Sequence, residues 1–271
     1  MVRSLWTAAS GMIAQQNNVD TIANNLANVN TTGYKTEVAE FKSLLYQDIQ
    51  AKTTSGNGET KPVGAQVGLG VRNSSVTSRF TQGSFYESSS NLAFAIGGDG
   101  FFGIRGQDGN TYYSRNGDFH LSTYGTGLAL TTSDGNLVLD STGKPIELGG
   151  SYVSSKIVVN GKGELCYPDE NNNVQPLGIT IGVWQFNNPS GLEKMGDSLF
   201  AATGASGQAM NEATTNGLIK SELRQGYLEG SNVQVADEMV NMIVAQRAYE
   251  LNSKAIQATD EMMSQANQLR R

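Results

Sequence analysis

Apolar residues return at every seventh position near the C-terminal end of the chain. No Gly or Pro occurs between Ser231 and Arg271, so a long helix can run through this segment without interruption. The residues that keep the interval are Val235, Met242, Tyr249, Ile256 and Met263. Because residues seven apart lie on one face of a helix, the spacing predicts a helix with an apolar stripe. Ser231 and Gln234 have the spacing of a capping box, which predicts that the helix begins at Ser231.

Polar residues interrupt the row that accompanies this stripe. Ala245 and Ala266 stand three residues after members of the stripe, whereas the other equivalent positions hold Glu238, Asn252 and Thr259. A polar residue in a helix seam can fix the register of pairing at a cost in stability. The predicted seam is therefore apolar but interrupted.

A second helix is predicted at the N-terminus, where a seam follows alternating steps of four and three residues. Its members are Leu5, Ala8, Met12, Gln15, Val19, Ile22, Leu26 and Val29. Ser4 is the predicted N-cap and Gly33 the predicted end, because Ser and Gly favour these positions. Asn is a poor helix former, so Asn24, Asn25 and Asn28 are predicted to bond across an interface or to cap the helix end.

The length of the C-terminal helix indicates that its own domain cannot cover it. A helix of about 40 residues spans roughly 60 Å, whereas a small domain is about 30 Å across. Pairing of the two terminal helices still leaves apolar surface exposed, so further copies or partners are expected to cover it. The alternative is an ordinary helix packed on its own sheet. The predicted assembly interface consists of Leu5, Met12, Val19, Ile22, Leu26, Val235, Met242, Tyr249, Ile256 and Met263.

Short strands and turns are predicted for the middle of the chain. Turn dipeptides typical of hairpins separate its alternating runs. They stand at Asp108-Gly109, Asn116-Gly117, Asp134-Gly135, Asn160-Gly161 and Asn216-Gly217. Residues 46–70 are polar and Gly-rich, which predicts an extended loop or linker. The predicted fold class is α+β, with a helical domain formed by residues 1–45 and 231–271 and an all-β domain of short antiparallel strands at 71–230.

Composition and charge limit the classes of function. The net charge is -6, which gives no support for nucleic-acid binding because that activity needs a basic surface. Cys166 is the single cysteine, so no disulfide can form within the chain. The N-terminus lacks the apolar stretch of a secretory signal, and no apolar run is long enough for membrane insertion. These features predict either a soluble cytoplasmic protein or export without a cleaved signal.

No catalytic residue, cofactor or metal site is predicted. The segment Gly98–Gly103 matches G-x-G-x-x-G, but it continues into a turn instead of the helix N-terminus that dinucleotide binding requires. We interpret it as a tight turn that directs one of Phe101 and Phe102 inward and the other outward. His120 is interpreted as a solvent-facing strand residue, and one His with one Cys cannot assemble a usual zinc site. A hydrolase with paired carboxylates is the enzymatic alternative.

Several segments resemble the bacterial flagellar rod and hook proteins. The family signature is carried by Asn24, Asn25, Leu26, Asn28, Gly33 and Tyr34. Further segments that resemble the family, in the same order, lie at residues 68–71, 81–83, 95–102, 113–119, 225–233 and 238–254. The likeness spans nearly the whole chain and is only general between residues 121 and 174. Within the family, the chain length and residues 44–47 are most similar to the distal rod branch.

The resemblance implies a non-enzymatic subunit of the basal-body rod. It implies that the terminal helices form the inner coiled-coil layer of a hollow helical shaft that transmits torque. The implied partners are further copies of the chain, other rod and hook subunits, the flagellar type III export apparatus and, where an outer membrane is present, bushing-ring proteins. The implied location is the basal body outside the cytoplasmic membrane. The alternatives are a proximal rod or hook-type paralogue and, from another class, a secreted β-rich adhesin.

Overall fold

The computed structural model describes residues 2–50, 65–125, 127–149, 152–169, 173–215 and 217–269, and these form two compact units. The helical unit consists of the described residues among Met1–Ala27, Glu37–Thr77 and Gln234–Arg271. The β unit consists of those among Asn28–Thr36 and Ser78–Val233. Two terminal helices and a central region of short antiparallel strands are thus present, as the sequence predicts.

The helical unit combines two long helices with short strands. Its elements are α1 (Val2–Ala27), β1 (Glu37–Ser43), β2 (Tyr46–Gln50), β3 (Ala65–Gly68), β4 (Val71–Ser78) and α2 (Val235–Gln268). The two helices pack against each other, and α1 also packs against β1. β1 pairs with β4, and β2 pairs with β3 in an antiparallel hairpin.

The N-terminal helix ends earlier than its sequence predicts. α1 already includes Ser4, so the prediction of Ser4 as the N-cap is wrong. Turns follow Ala27 up to Gly33, whose φ of 71° is a left-handed conformation that favours glycine. Residues 37–43, predicted within a helical region, form β1 because their backbone pairs with β4.

The C-terminal helix begins four residues after the predicted start. Its N-cap, Gln234, has an extended backbone and makes no side-chain capping bond, so the predicted capping box is wrong. The Ser231 hydroxyl instead accepts a hydrogen bond from the Val233 N–H at 3.3 Å. The side chain of Asn232 bonds to Thr36 and Thr81, which holds the residues before α2 outside the helix. The predicted end at Arg271 lies outside the described residues.

The predicted linker at residues 46–70 contains ordered strands. Tyr46–Gln50 and Ala65–Gly68 pair with each other, so the prediction is wrong for both segments. Strand pairing supplies hydrogen-bond partners for backbone N–H and C=O groups in a polar, Gly-rich segment that forms neither a helix nor part of a core. Residues 51–64, the middle of the predicted linker, lie outside the described residues.

The β unit is built from short strands. Their bounds are β5 (Phe85–Glu87), β6 (Phe94–Gly97), β7 (Phe101–Arg105), β8 (Thr111–Ser114), β9 (Phe119–Tyr124), β10 (Gly127–Thr132), β11 (Leu137–Val138), β12 (Glu147–Leu148), β13 (Val158–Val159), β14 (Glu164–Pro168), β15 (Val174–Thr180), β16 (Val183–Gln185), β17 (Glu193–Gly196), β18 (Leu199–Ala201), β19 (Met210–Asn211), β20 (Glu222–Gln225) and β21 (Tyr227–Glu229). Among the described residues, the main sheet has ten strands, with the central order β12-β10-β11-β7-β8-β18-β17. Smaller antiparallel assemblies are β13-β14-β15, β20-β6 and β21-β5.

Two apolar clusters lie on either side of β7. Phe102 belongs to the larger cluster with Phe94 and Phe119, whereas Phe101 belongs to an aromatic cluster with Trp184. Phe101 and Phe102 are both fully buried, so the prediction that one of them faces outward is wrong. Because β7 lies inside the sheet and both of its faces are covered, successive side chains enter different cores.

The glycines before and within β7 make close packing possible. A Cβ added at Gly103 would collide with the indole ring of Trp184. The segment leads into a strand and not into a helix N-terminus, which agrees with the sequence-based rejection of dinucleotide binding. The G-x-G-x-x-G pattern therefore reflects tight packing in the β unit.

Three of the predicted turns join paired strands. The turns at Asp108-Gly109, Asp134-Gly135 and Asn160-Gly161 connect β7 to β8, β10 to β11 and β13 to β14. Asn116-Gly117 connects β8 to β9. These two strands pair with other strands and not with each other, so the predicted hairpin at this turn is wrong. Gly117 is held instead by the Phe94 N–H, which donates to its carbonyl at 2.9 Å. Asn216 lies outside the described residues.

Candidate assembly surface

The two long helices of the helical unit run antiparallel. Near the end of α1, the Asn25 amide donates to the Glu238 carboxylate at 3.3 Å. Near the start of α1, Gly11 faces Asn252, where an added Cβ would come within 2.9 Å of the Asn252 amide nitrogen. The same number of residues separates these contacts on each helix, so one register holds along the pair.

Most of the predicted interface residues lie on the faces that the helices turn away from solvent. On α1, Ile22 is buried and Leu5, Met12, Val19 and Leu26 are half-buried. On α2, Met242, Ile256 and Met263 are half-buried, whereas Val235 and Tyr249 remain more than 40% exposed. Whether these ten residues also contact another copy of the chain stays a prediction.

The polar members of the α2 seam are among its most buried residues. Glu238 and Thr259 are buried with Ala245, the only buried residues among those described in α2. The Thr259 hydroxyl donates to the Ala255 carbonyl at 2.7 Å, and Glu238 accepts the Asn25 amide. Because each polar group has a partner, the interrupted seam can be buried without an orphaned hydrogen-bonding group there.

The family-signature Asn residues have local roles at the end of α1. The Asn25 side chain accepts from the Glu37 N–H and donates to the Glu37 carbonyl, both at 2.8 Å. The Asn28 side chain accepts from the Thr31 hydroxyl at 3.0 Å. Asn25 is buried, whereas Asn24 is exposed and Tyr34 is half-buried. The amide of Asn25 thus fixes the path of the chain from α1 to β1.

A groove between the helices remains partly open. Val19 and Tyr249, both predicted interface residues, line it together with Gln16, Gln246 and Glu250. Its volume is about 410 Å³. The lining surface is mainly apolar, a composition that suits a packed side chain better than a charged ligand.

A second apolar stripe on α2 is exposed, and the sequence analysis missed it. Its members, each more than half exposed, are Met239, Val240, Ile243, Val244 and Leu251. Each member stands three, four or seven residues from another member, so they share a broad face that differs from the stripe containing Met242. On α1, Trp6 and Ile13 are also exposed and stand seven residues apart. In the sequence, the adjacent apolar pairs Met239-Val240 and Ile243-Val244 indicate this second stripe.

The described part of α1 and α2 contains no segment that combines the length and the hydropathy needed to cross a membrane. Exposed apolar side chains on these helices alternate with polar residues such as Gln246, Arg247 and Glu250. Their pattern is that of an amphipathic packing surface.

Models of flagellar protein families match three parts of the chain. Residues 5–35 match the description "Flagella basal body rod protein". Residues 95–181 match "Flagellar hook protein FlgE/F/G D1 domain" and residues 224–269 match "Flagellar basal body rod FlgEFG protein C-terminal". The matches therefore include both terminal helices and part of the β unit.

Full-length relatives give the same result. The chain is 44% identical to the flagellar basal-body rod protein FlgG of Borreliella burgdorferi over the full length of both. It is 41% identical to the protein of that name from Agrobacterium fabrum, over 97% of each chain. It is 32% identical to the flagellar hook-basal body complex protein FlhP of Bacillus subtilis over the full length of both.

Proposed function

We propose that the chain, which belongs to the flagellar rod and hook protein family, is a structural subunit of the basal-body rod. Within the family it is most like the distal rod members. The relatives from Borreliella burgdorferi and Agrobacterium fabrum are named as rod proteins, and the family is a family of structural proteins. The observation that carries the proposal is the exposed apolar face of α2, because a helix with a second apolar face needs a second partner.

Further copies of the chain are the proposed cover for this face. α1 packs against one side of α2, and the stripe from Met239 to Leu251 is proposed to pack against a neighbouring subunit. Burying the exposed parts of these five side chains would contribute roughly 4 to 9 kcal/mol before the cost of ordering is subtracted. Contacts that repeat without closing into a ring build a helical assembly.

In the assembled rod, the terminal helices are proposed to form a coiled-coil layer around a hollow shaft. The interrupted α2 seam and the antiparallel α1 pairing support this, because buried polar residues such as Glu238 restrict the register of helix pairs. Torque would pass through these repeated contacts. The ten predicted interface residues belong to this proposal, with Val235, Tyr249 and the open groove as the parts still exposed in one subunit.

Family membership implies assembly with other flagellar subunits and a flagellar location. The proposed partners are other rod and hook subunits, the type III export apparatus that delivers the chain and, where an outer membrane is present, bushing-ring proteins. The proposed site of assembly lies outside the cytoplasmic membrane. No cofactor and no catalytic step is part of this function.

Substitution of Ile243 by Asp tests the assembly face. In cells that carry only the variant, electron microscopy of isolated basal bodies should show that rod incorporation falls at least tenfold, because each copy would bury an unpaired charge. The purified Ile243→Asp chain should keep its helical circular dichroism, since the side chain is exposed in one subunit. Gln257→Asp is the matched control because it adds the same charge at an exposed polar position of α2.

Two results would contradict the proposal. Normal rods built from the Ile243→Asp variant would show that the exposed stripe is not an assembly contact. Equal loss with Gln257→Asp would show that added charge, and not the apolar stripe, controls incorporation. Small closed oligomers of the natural chain at high concentration, without axial stacking, would favour the adhesin alternative.

A hook-type paralogue is the second candidate within the family. The similarity to FlhP of Bacillus subtilis supports it, but at 32% identity, against 44% for FlgG of Borreliella burgdorferi. Labelled antibodies against the chain would locate it in isolated hook-basal bodies. Label in the hook, and not in the rod, would favour the paralogue.

A further inference from the structure

Three charged side chains lie buried together in the β unit. The Lys35 ammonium is 2.6 Å from one oxygen of the Glu229 carboxylate, and the Arg115 guanidinium is 3.4 Å from the other. The three side chains are at most 1% exposed. Two cations thus share one buried carboxylate, and the charges of Asp99 and, for Arg115, Glu212 act on them from farther away.

Neutral neighbours complete the cluster only in part. Lys35 also donates to the Thr81 carbonyl at 2.8 Å, and the Gly83 N–H donates to Glu229 at 2.9 Å. The Arg115 guanidinium lies 4.9 Å from the centre of the Phe101 ring, and its buried Nε has no hydrogen-bond partner within the described part of the chain. Burial lowers the pKa of Lys35 and of Arg115 below their ordinary values, although the Glu229 charge opposes the shift. Buried charges at such a cost are weak evidence of a role in stability alone.

The members of the cluster come from distant parts of the chain. Lys35 lies in the segment that follows α1, Glu229 is the last residue of β21 before α2, and Arg115 lies between β8 and β9. Lys35 is compensated only when the Glu229 segment is in place, whereas Glu229 keeps Arg115 as a partner when the Lys35 segment is absent. Undocking of the Glu229 segment alone would leave two buried cations without their shared anion, which is strongly unfavourable.

Backbone contacts join the same two segments. The Gly33 N–H donates to the Glu229 carbonyl at 2.8 Å. A Cβ on Gly33 would come within 2.7 Å of the Arg115 carbonyl carbon, so the segment lies directly against the backbone of Arg115. The Thr36 N–H donates to the side chain of Asn232 at 2.7 Å. The ion pairs therefore stand at the centre of a continuous set of contacts.

We infer that Lys35, Arg115 and Glu229 form an ionic latch that makes docking of segment 28–36 depend on prior docking of segment 229–232. The dependence has one direction because Lys35 and Arg115 together need the Glu229 carboxylate, whereas Glu229 can pair with Arg115 alone. This conformational device lies within the β unit and does not depend on the proposed role in the rod.

Amide hydrogen exchange of the full chain tests the latch at single residues. The reporters are the Thr36 N–H on the first segment, the Gly230 N–H on the second and the Ile146 N–H in the core, each hydrogen-bonded. Glu229→Gln should raise exchange at both Gly230 and Thr36 by at least about tenfold, because it leaves two buried cations without an anion. Lys35→Met should raise exchange mainly at Thr36, because Glu229 keeps Arg115. Exchange at Ile146 should change by a smaller factor.

Further variants keep the test decisive if the uncharged ones unfold. Glu229→Asp keeps the charge but shortens the side chain, and it should raise exchange at Thr36 and Gly230 together. Glu222→Gln breaks an exposed pair with Arg224 in neighbouring β20 and should change neither reporter. An effect of the Glu229 variants that is confined to Gly230 would overturn the latch. An equal rise at all three reporters would also overturn it, because the cluster would then contribute only to global stability.

Discussion

The β unit and the helical unit differ in how they treat their large apolar side chains. In the β unit Phe94, Phe101, Phe102 and Phe119 have no exposed surface. In the helical unit Val240, Ile243, Val244 and Leu251 are more than half exposed. The first unit completes its core within one chain, whereas the second leaves an apolar face on a helix about 51 Å long.

This difference separates two sources of order. A core that is closed within the chain can fold without a partner, because its apolar side chains are already removed from water. A long helix gains most of its stability from packing of its apolar face, and α2 finds only part of that packing on α1. The two units of one chain should therefore respond differently to substitutions, to denaturant and to assembly.

The largest effect is expected when the closed core is opened. Phe102→Ala should lower the free energy of unfolding of the β unit by about 3–5 kcal/mol, because it removes a buried ring and leaves a cavity. Fluorescence of buried Trp184 during urea unfolding measures the change, in a Trp6→Phe background that removes the exposed tryptophan of α1. The control, His120→Ala at an exposed position, should change it by less than about 0.5 kcal/mol. A small effect of Phe102→Ala would remove the contrast between the units.

A smaller effect is expected at the end of α1. Asn25→Ala should destabilise the helical unit by about 1–3 kcal/mol, because the part-buried N–H and carbonyl of Glu37 lose their hydrogen bonds to the Asn25 side chain. The helical circular dichroism signal at increasing urea concentration measures the change. Asp20→Asn, at an exposed position of the same helix, should leave the transition in place. Equal transitions for both variants would show that the Asn25 bonds do not stabilise the helical unit.

The smallest effect is expected at a strained turn of the β unit. Asp197 and Ser198 join β17 to β18 with φ values of 50° and 58°, a left-handed conformation that is costly for residues other than glycine. Ser198→Gly should raise the free energy of unfolding by about 0.5 kcal/mol, since relief of the strain exceeds the entropy cost of glycine. Trp184 fluorescence measures the gain. Ser198→Val should destabilise instead, and a gain with valine would show that the turn is not strained.

The sequence was sufficient for the main elements because their signals are local. The seven-residue spacing from Val235 to Met263 and the four-three seam from Leu5 to Leu26 predicted both helices. Turn dipeptides such as Asp108-Gly109 predicted hairpins that the structure contains. In each case the residues that decide the conformation are neighbours along the chain.

The helix boundaries could not be predicted because distant residues decide them. Asn25 binds the backbone of Glu37, and Asn232 binds Thr36 and Thr81, before the helices can extend further. The charges of Lys35 and Glu229 meet across most of the sequence, so no spacing rule brings them together. The second stripe at Val240 and Val244 was missed because the prediction followed only the apolar residues that recur at seven-residue intervals in α2.

The unequal lengths of the paired helices give the helical unit two different ends. The register set by Asn25 with Glu238 and Gly11 with Asn252 places the first turn of α1 level with Glu261. Residues Met262–Gln268 extend α2 by about 10 Å beyond the described start of α1. Met262 is exposed in this extension, and Leu269 follows it. Within the described residues the two ends of the pair therefore differ, so a column of such pairs has a polarity, and reversing one subunit would bring two like ends together.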